Sequence, residues 1–249
     1  MTSISLVIPV YNYATRVYKT IQKVEQFCTT NSQNSWEIIF VDDGSVDTTA
    51  TAVQNLIRNY PYMKLITQGR NVGKGATVRK GLQSATGDFR IFMDCDLAYG
   101  MEEVEKIIQS LENGADFAYA DRKHPHSTCM VAQEKHLYQQ KRNSMSFVLH
   151  KIIQNLNIGP IRDTQAGLKG MRSSVIPLMK TCSIDGFPFD IELFAIAKEN
   201  KLVVEPVPVN YHIENAPSTV MPIPVAFDFV KSIGIIRKNM LQGKYKVLA

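Results

Sequence analysis

Hydrophobic residues in the first half of the chain fall in short unbroken runs, and stretches of helical spacing separate them. ISLVIPVYN (4–12) and WEIIFVDDGS (36–45) are rich in β-branched residues and show no polar alternation, as expected of strands buried on both faces. MKLITQ (63–68), FRIFMDCD (89–96) and DFAYADR (116–122) repeat the form. Between them, Ala50, Val53, Leu56, Ile57 and Tyr60 recur at helical spacing, as do Val104, Ile107, Ile108 and Leu111. This alternation predicts an α/β domain, a Rossmann-like and mainly parallel sheet with helices on both faces. Ligands of such sheets bind beyond the carboxyl ends of the strands. The polar motifs PVYN, DDGS and DCD stand at those ends, so they are expected to share one crevice.

The second half is less regular. A long helix is expected over about 132–156, followed by the polar, turn-rich RDTQAGLKG (162–170). FPFDIELFAIAKEN (187–200) reads as a helix entered through Pro188. LVVEPVPVNY (202–211) reads as a strand, and Pro206 and Pro208 place it at a sheet edge. The chain divides into a main domain, 1–223, and a C-terminal basic amphipathic helix, 224–249.

Composition narrows the chemistry. With 249 residues and 45% hydrophobic content the chain can bury one sizeable core. A net charge of +5 without any basic tract argues against a nucleic-acid partner and fits an anionic small ligand or lipid surface. The four cysteines, Cys28, Cys95, Cys129 and Cys182, form no CxxC pair, which argues against zinc and for reduced thiols in a cytoplasmic protein. No apolar run is long enough to span a bilayer, and no signal peptide stands at the N-terminus. The spacings of a Walker A loop and of GxGxxG are both absent.

The acidic motifs call for a cation. Asp94 and Asp96 end a buried strand one residue apart, and two like charges there are costly unless neutralised. Carboxylates suit Mg²⁺ or Mn²⁺ held together with the phosphates of a substrate. In VDDGSVD, Asp42, with Asp43 beside it, can accept a hydrogen bond from a nucleobase, while Gly44 turns the chain and Ser45 or Asp47 caps the next helix. NVGKGATVRKG (71–81) is a glycine-rich turn into a helix that brings Lys74 and Arg79 near phosphate.

SLVIPVYN, VDDGSVDTT, NVGKGATVRKG and FMDCDLA, in this order, resemble the family 2 glycosyltransferases of the GT-A fold. DTQAGLKG (163–170) followed by FPFDIEL (187–193) resembles the polyprenyl-phosphate branch, the dolichyl-phosphate β-glucosyltransferases in particular. The resemblance implies a nucleoside pocket of Pro9, Tyr11, Asp42 and Asp43. Lys74 and Cys95 join Asp94 on the nucleotide, and Asp94 and Asp96 hold the metal, with Asp96 closest to it. It also implies that Arg122 reaches a phosphate, that Asp163, Gln165 and Lys169 face sugar and acceptor, and that Asp190 lies on the acceptor side. Two positions depart from the pattern. Tyr13 stands where the family has Glu, and Ala98 stands where some members carry a further metal-assisting side chain.

The resulting expectation is an inverting transferase that moves a sugar from a nucleotide-sugar, UDP-glucose above others, to a polyprenyl phosphate. The alternatives are transfer to a saccharide or protein hydroxyl, which requires a base such as Asp163 or Asp190, and a non-catalytic module that binds nucleotide or lipid phosphate. From Phe229 onward the tail carries Lys231, Arg237, Lys238, Lys244 and Lys246 and no acid, with Val230, Ile233, Ile236 and Met240 on one face. Its two readings are a helix packed on the domain and a peripheral contact with an anionic, cytosol-facing membrane.

Overall fold

The computed structural model describes residues 2–130, 156, 158–212 and 222–247. The helix expected over 132–156 falls outside them but for Leu156. The first half follows the hydrophobic pattern. Strands β1 (Ser3–Val10), β2 (Ser35–Asp42), β3 (Met63–Thr67), β4 (Phe89–Met93) and β5 (Phe117–Asp121) alternate with helices α1 (Val17–Thr30), α2 (Thr49–Ile57), α3 (Lys74–Ser84) and α4 (Glu102–Glu112). Later come β6 (Thr128–Met130), β7 (Leu168–Arg172), a 3₁₀-helix (Ser173–Thr181), α5 (Phe189–Glu199), β8 (Val204–Pro208), β9 (Asn210–His212) and α6 (Pro222–Leu241).

Seven strands form one sheet in the order β3-β2-β1-β4-β7-β5-β8, and β6 pairs with β9 separately. Every pairing in the main sheet is parallel except those of β7, which runs antiparallel to β4 and to β5. β8 lies at the edge, where its prolines placed it. Helices cover both faces. Ile4, Leu6, Ile8 and Val10 of β1 pack with side chains of α1, α2 and α4, while Val7 packs with α3, α5 and α6. That two-sided burial explains the unbroken apolar runs. No helix among the described residues is long and apolar enough to cross a membrane.

The tail is part of this packing. Ile233 and Ile236 of α6 are buried with the α5 residues Ile191 and Phe194, while Val230 on the same helix is 58% exposed. Past α6, the buried Tyr245 donates its hydroxyl to Glu192 at 2.7 Å, and Asn200 Nδ2 donates to the Tyr245 carbonyl at 2.6 Å. The apolar face read as membrane-seeking is therefore largely used to close the core. The basic side chains Lys231, Arg237, Lys238, Lys244 and Lys246 are exposed.

Candidate active site

The register sets the site. Val10 pairs with Asp42 and Asp42 with Thr67, so β1, β2 and β3 end level with one another. Just beyond, PVYN and DDGS are stitched together. The Asn12 amide donates to Ser45 Oγ at 2.9 Å, and Asn12 Oδ1 accepts from Val46 N at 3.0 Å. Asn12 itself has φ 48°, a left-handed turn that exposes Tyr11.

The two acids after β2 are both buried, and both organise backbone. Asp42 accepts the Ser45 hydroxyl at 2.5 Å and the Ser45 amide at 3.1 Å. Asp43 accepts from Val72 N at 2.8 Å, Gly73 N at 3.1 Å and Gln68 Nε2 at 3.1 Å, which fixes the glycine-rich turn before α3. Gly44 between Asp43 and Ser45 has φ 68°, and a Cβ there would meet the Arg70 backbone at 2.2 Å. A carboxylate has further lone pairs, so Asp42 keeps acceptor capacity beside Ser45. Pro9, half-buried at the end of β1, lies in the same corner.

At the end of β4 the DCD motif turns sharply, with Leu97 at φ 51°. Asp94 N donates to the Gly167 carbonyl at 2.9 Å, and its carboxylate lies over Gly167. A Cβ on Gly167 would sit 2.0 Å from Asp94 Oδ2, so only glycine fits. Lys74 Nζ stands 2.7 Å from Asp94 Oδ1. Burial lowers the pKa of this ammonium, but the Asp94 and Asp190 carboxylates more than offset that and raise it on balance. Asp96 is exposed, and its Oδ1 accepts from Ala98 N at 3.1 Å. The Cys95 carbonyl accepts from Thr20 Oγ1 at 2.7 Å, and burial, with Asp94 and Asp96 beside it, keeps the Cys95 thiol protonated.

Two carboxylates spaced this way are hard oxygen donors. They fit a Mg²⁺ or Mn²⁺ ion that takes its remaining ligands from a diphosphate and water. Among the described residues no group of three or more His, Cys, Asp and Glu forms a cage made of protein alone. At the two positions that depart from the family pattern, the Tyr13 and Ala98 side chains are partly buried against the core, and their backbones are hydrogen-bonded. Tyr13 N donates to Thr49 Oγ1 at 2.7 Å, and the Ala98 carbonyl accepts from His212 N at 2.7 Å.

The acceptor-side residues form two ion pairs. Arg122 donates from Nε to Asp163 Oδ2 at 2.6 Å, from Nη2 to Oδ1 at 2.8 Å and from its amide to Oδ2 at 3.2 Å. Burial alone would raise the Asp163 pKa, but Arg122 and the charge of Lys169 hold it below the usual carboxylate range. Gln165 N donates to Asp163 Oδ1 at 3.3 Å, so Gln165 shares this turn. Behind it, Lys169 Nζ donates to Asp190 Oδ1 at 2.5 Å and to the Ala166 carbonyl, against the rings of Phe92 and Phe194. Burial pulls Lys169 down and pushes Asp190 up, each opposed by the other's charge.

Three of the expected residues are already engaged by protein partners. Lys169 is wholly buried and Asp190 is 2% exposed, so the two are turned toward each other and not toward the surface. Desolvating a lone charge there would be prohibitive, and each needs the other. Arg79, expected near phosphate, reaches instead to Asp185 at 2.5 Å. Residues the motifs did not single out also shape the site. The Tyr99 hydroxyl accepts from Gly167 N at 3.1 Å, and Thr20 holds the Cys95 carbonyl. Thr20 had a sequence signal, since it falls on the buried stripe Val17, Thr20, Ile21, Val24, Cys28 of α1.

Known proteins resemble this chain throughout its length. The chain is 26% identical over 98% of its length to a dolichyl-phosphate beta-glucosyltransferase from Saccharomyces cerevisiae, covering 76% of that protein. A protein of the same name from Dictyostelium discoideum is 29% identical at the same coverage of both chains. Among solved structures, mannosyl-3-phosphoglycerate synthase from Rubrobacter xylanophilus superposes with a TM-score of 0.64 at 14% identity, over 100% of this chain and 77% of that one. Glucosyl-3-phosphoglycerate synthase from Mycobacterium tuberculosis, in complex with Mn²⁺, UDP and glucosyl-3-phosphoglycerate, does so with a TM-score of 0.55 at 15% identity, over 97% of this chain and 78% of that one. The shared fold is thus that of the GT-A transferases. The model of the family named Glycosyl transferase family 2 matches residues 5–177, which is most of the sheet and the whole DCD corner, and the chain belongs to that family.

Proposed function

We propose that the protein is an inverting transferase that moves glucose from UDP-glucose to the phosphate of a polyprenyl lipid. The observation that carries this reading is the state of its two candidate bases. Asp163 is bound bidentately by Arg122, and Asp190 is buried against Lys169. A hydroxyl acceptor needs a carboxylate able to take its proton, whereas a phosphate monoester, with a second pKa of about 6, arrives ionised. Neither acid is arranged as a base, and a phosphate acceptor needs none. The names of the curated relatives point the same way.

In this reading the first half of the sheet binds the donor. Tyr11, Pro9 and the Asp42–Ser45 turn shape the nucleoside end, and Lys74 faces the diphosphate. A divalent ion bound through Asp94 and Asp96 supplies neutralisation of the leaving diphosphate. Asp163 holds the Arg122 guanidinium in one orientation, and Arg122, still 27% exposed, draws the acceptor phosphate toward the sugar. Lys169 and Asp190 hold the Ala166 carbonyl and thereby the turn that carries Asp163 and Gln165. The exposed basic side chains of α6, with Leu241 81% exposed among them, rest on the anionic, cytosol-facing leaflet that holds the lipid.

Radiolabelled UDP-glucose, Mn²⁺ and detergent-dispersed dolichyl phosphate test the assignment. Label should enter the organic phase with dolichyl phosphate and should not with dolichol, which offers only a hydroxyl. Transfer to dolichol or to free sugars, without transfer to the phosphate, would overturn it.

A further inference from the structure

The charges behind the strand ends alternate in sign. Asp94 meets Lys74 at 2.7 Å, Lys74 lies within the field of Asp190, and Asp190 meets Lys169 at 2.5 Å. Lys169 is wholly buried and donates to Asp190, so Asp190 already has a close partner. Lys74 differs. It opens α3, its side chain is 16% exposed, and its Nζ lies 5.9 Å from the centre of the Phe187 ring, itself 40% exposed. A lysine is a compact charge on a flexible stem and can change partners without moving its backbone. Its present partner is the inner carboxylate of DCD, the oxygen donor that a divalent ion would use.

An ammonium and a divalent ion cannot share one carboxylate oxygen without strong repulsion. An ion on the Asp94 oxygen that Lys74 now holds must displace the ammonium, and the other carboxylate acting on Lys74 among the described residues is Asp190, already paired with Lys169. A diphosphate changes this balance, because it brings oxygens that accept the ammonium as the ion takes Asp94.

We propose that Lys74 is a resident cation at the metal position, which keeps divalent ions off Asp94 until a nucleoside diphosphate arrives to receive it. Metal and nucleotide then bind as a unit, and metal does not bind first. This rests on the reading of Asp94 and Asp96 as the site of a metal–diphosphate complex. It deepens that reading by naming what holds the site closed to free metal.

The test is Mn²⁺ binding to the full chain, read from the electron paramagnetic resonance signal of free Mn²⁺, with and without UDP. Wild type should bind Mn²⁺ weakly alone and at least tenfold more tightly with UDP. Lys74→Met should bind Mn²⁺ alone at least tenfold more tightly than wild type and gain little from UDP. Lys74→Gln, which keeps a donor to Asp94 without the charge, guards against a folding defect in the methionine variant and should behave like it. Lys74→Arg keeps the charge and should stay weak without nucleotide. If the neutral variants bind Mn²⁺ alone as wild type does, while UDP still tightens binding in wild type, the role of Lys74 falls and the metal–diphosphate site stands. If no protein binds Mn²⁺ with UDP present, the site falls and the inference with it.

Discussion

The two halves of the crevice are built on opposite electrostatic plans. On the β1–β4 side, acids sit on sharp turns at the ends of parallel strands and leave an exposed carboxylate, Asp96, at the surface. On the β7–α5 side, acids are matched one to one with bases and taken out of water, as in Arg122–Asp163 and Lys169–Asp190. The first side is arranged to receive charge from a ligand. The second has cancelled most of its own charge, and of its two pairs only Arg122 keeps a partly exposed face. Substitutions should therefore cost mainly activity on the first side, and mainly stability at the buried Lys169–Asp190 pair of the second.

The largest expected effect tests the buried pair. Lys169→Ala leaves Asp190 buried and unpaired, and urea unfolding should show a loss of about 3–5 kcal/mol. Adding Asp190→Leu to Lys169→Met should recover most of it, because an apolar pair of similar volume needs no compensation. A single variant as stable as wild type would mean that water already reaches Asp190, and the contrast between the halves would fail.

Next comes the open side. Asp96→Ala should lower kcat about a hundredfold or more, at about 1.4 kcal/mol for each factor of ten, while the urea midpoint stays within error of wild type. A large loss of stability there would show that Asp96 does structural work like its counterparts across the crevice.

The smallest effect sharpens the comparison through pH. The native pKa of Asp163 is depressed relative to an unfolded value of about 3.9. Its contribution is therefore fully present above about pH 4 and lost as pH falls through the native value. Unfolding free energies of wild type and Asp163→Asn, measured from neutral to acid pH, should differ at neutrality and converge at the acid end. Parallel curves would mean that Arg122 does not stabilise the ionised acid.

The same contrast explains what the sequence makes legible. The donor side is local. Each motif follows its own strand, so periodicity alone places Asp42, Asp94 and Asp96 at one edge. The acceptor side depends on partners distant in sequence. Nothing near Lys169 in RDTQAGLKG announces a buried lysine, because its neutralising acid stands 21 residues on, in α5. The antiparallel course of β7 is hidden for the same reason, since a lysine and a glycine do not read as a central strand. The stripe of Ile233 and Ile236 shows that α6 buries one face and is silent on whether lipid or protein covers it. The α1 stripe was readable by spacing, but its apolar positions include Thr20 and Cys28, which dilute the pattern.

The outer strand β8 has a colloidal consequence. An open sheet margin normally offers a row of amide hydrogens to any passing strand, and growth by edge-to-edge pairing starts there. Pro206 and Pro208 carry no amide hydrogen, and Glu205 just before them is exposed. A visiting strand along that margin would find donors missing at alternate positions and a negative charge beside them. The sheet is thus finished at that edge by its own sequence, and the protein resists strand-by-strand aggregation there even when concentrated on a surface.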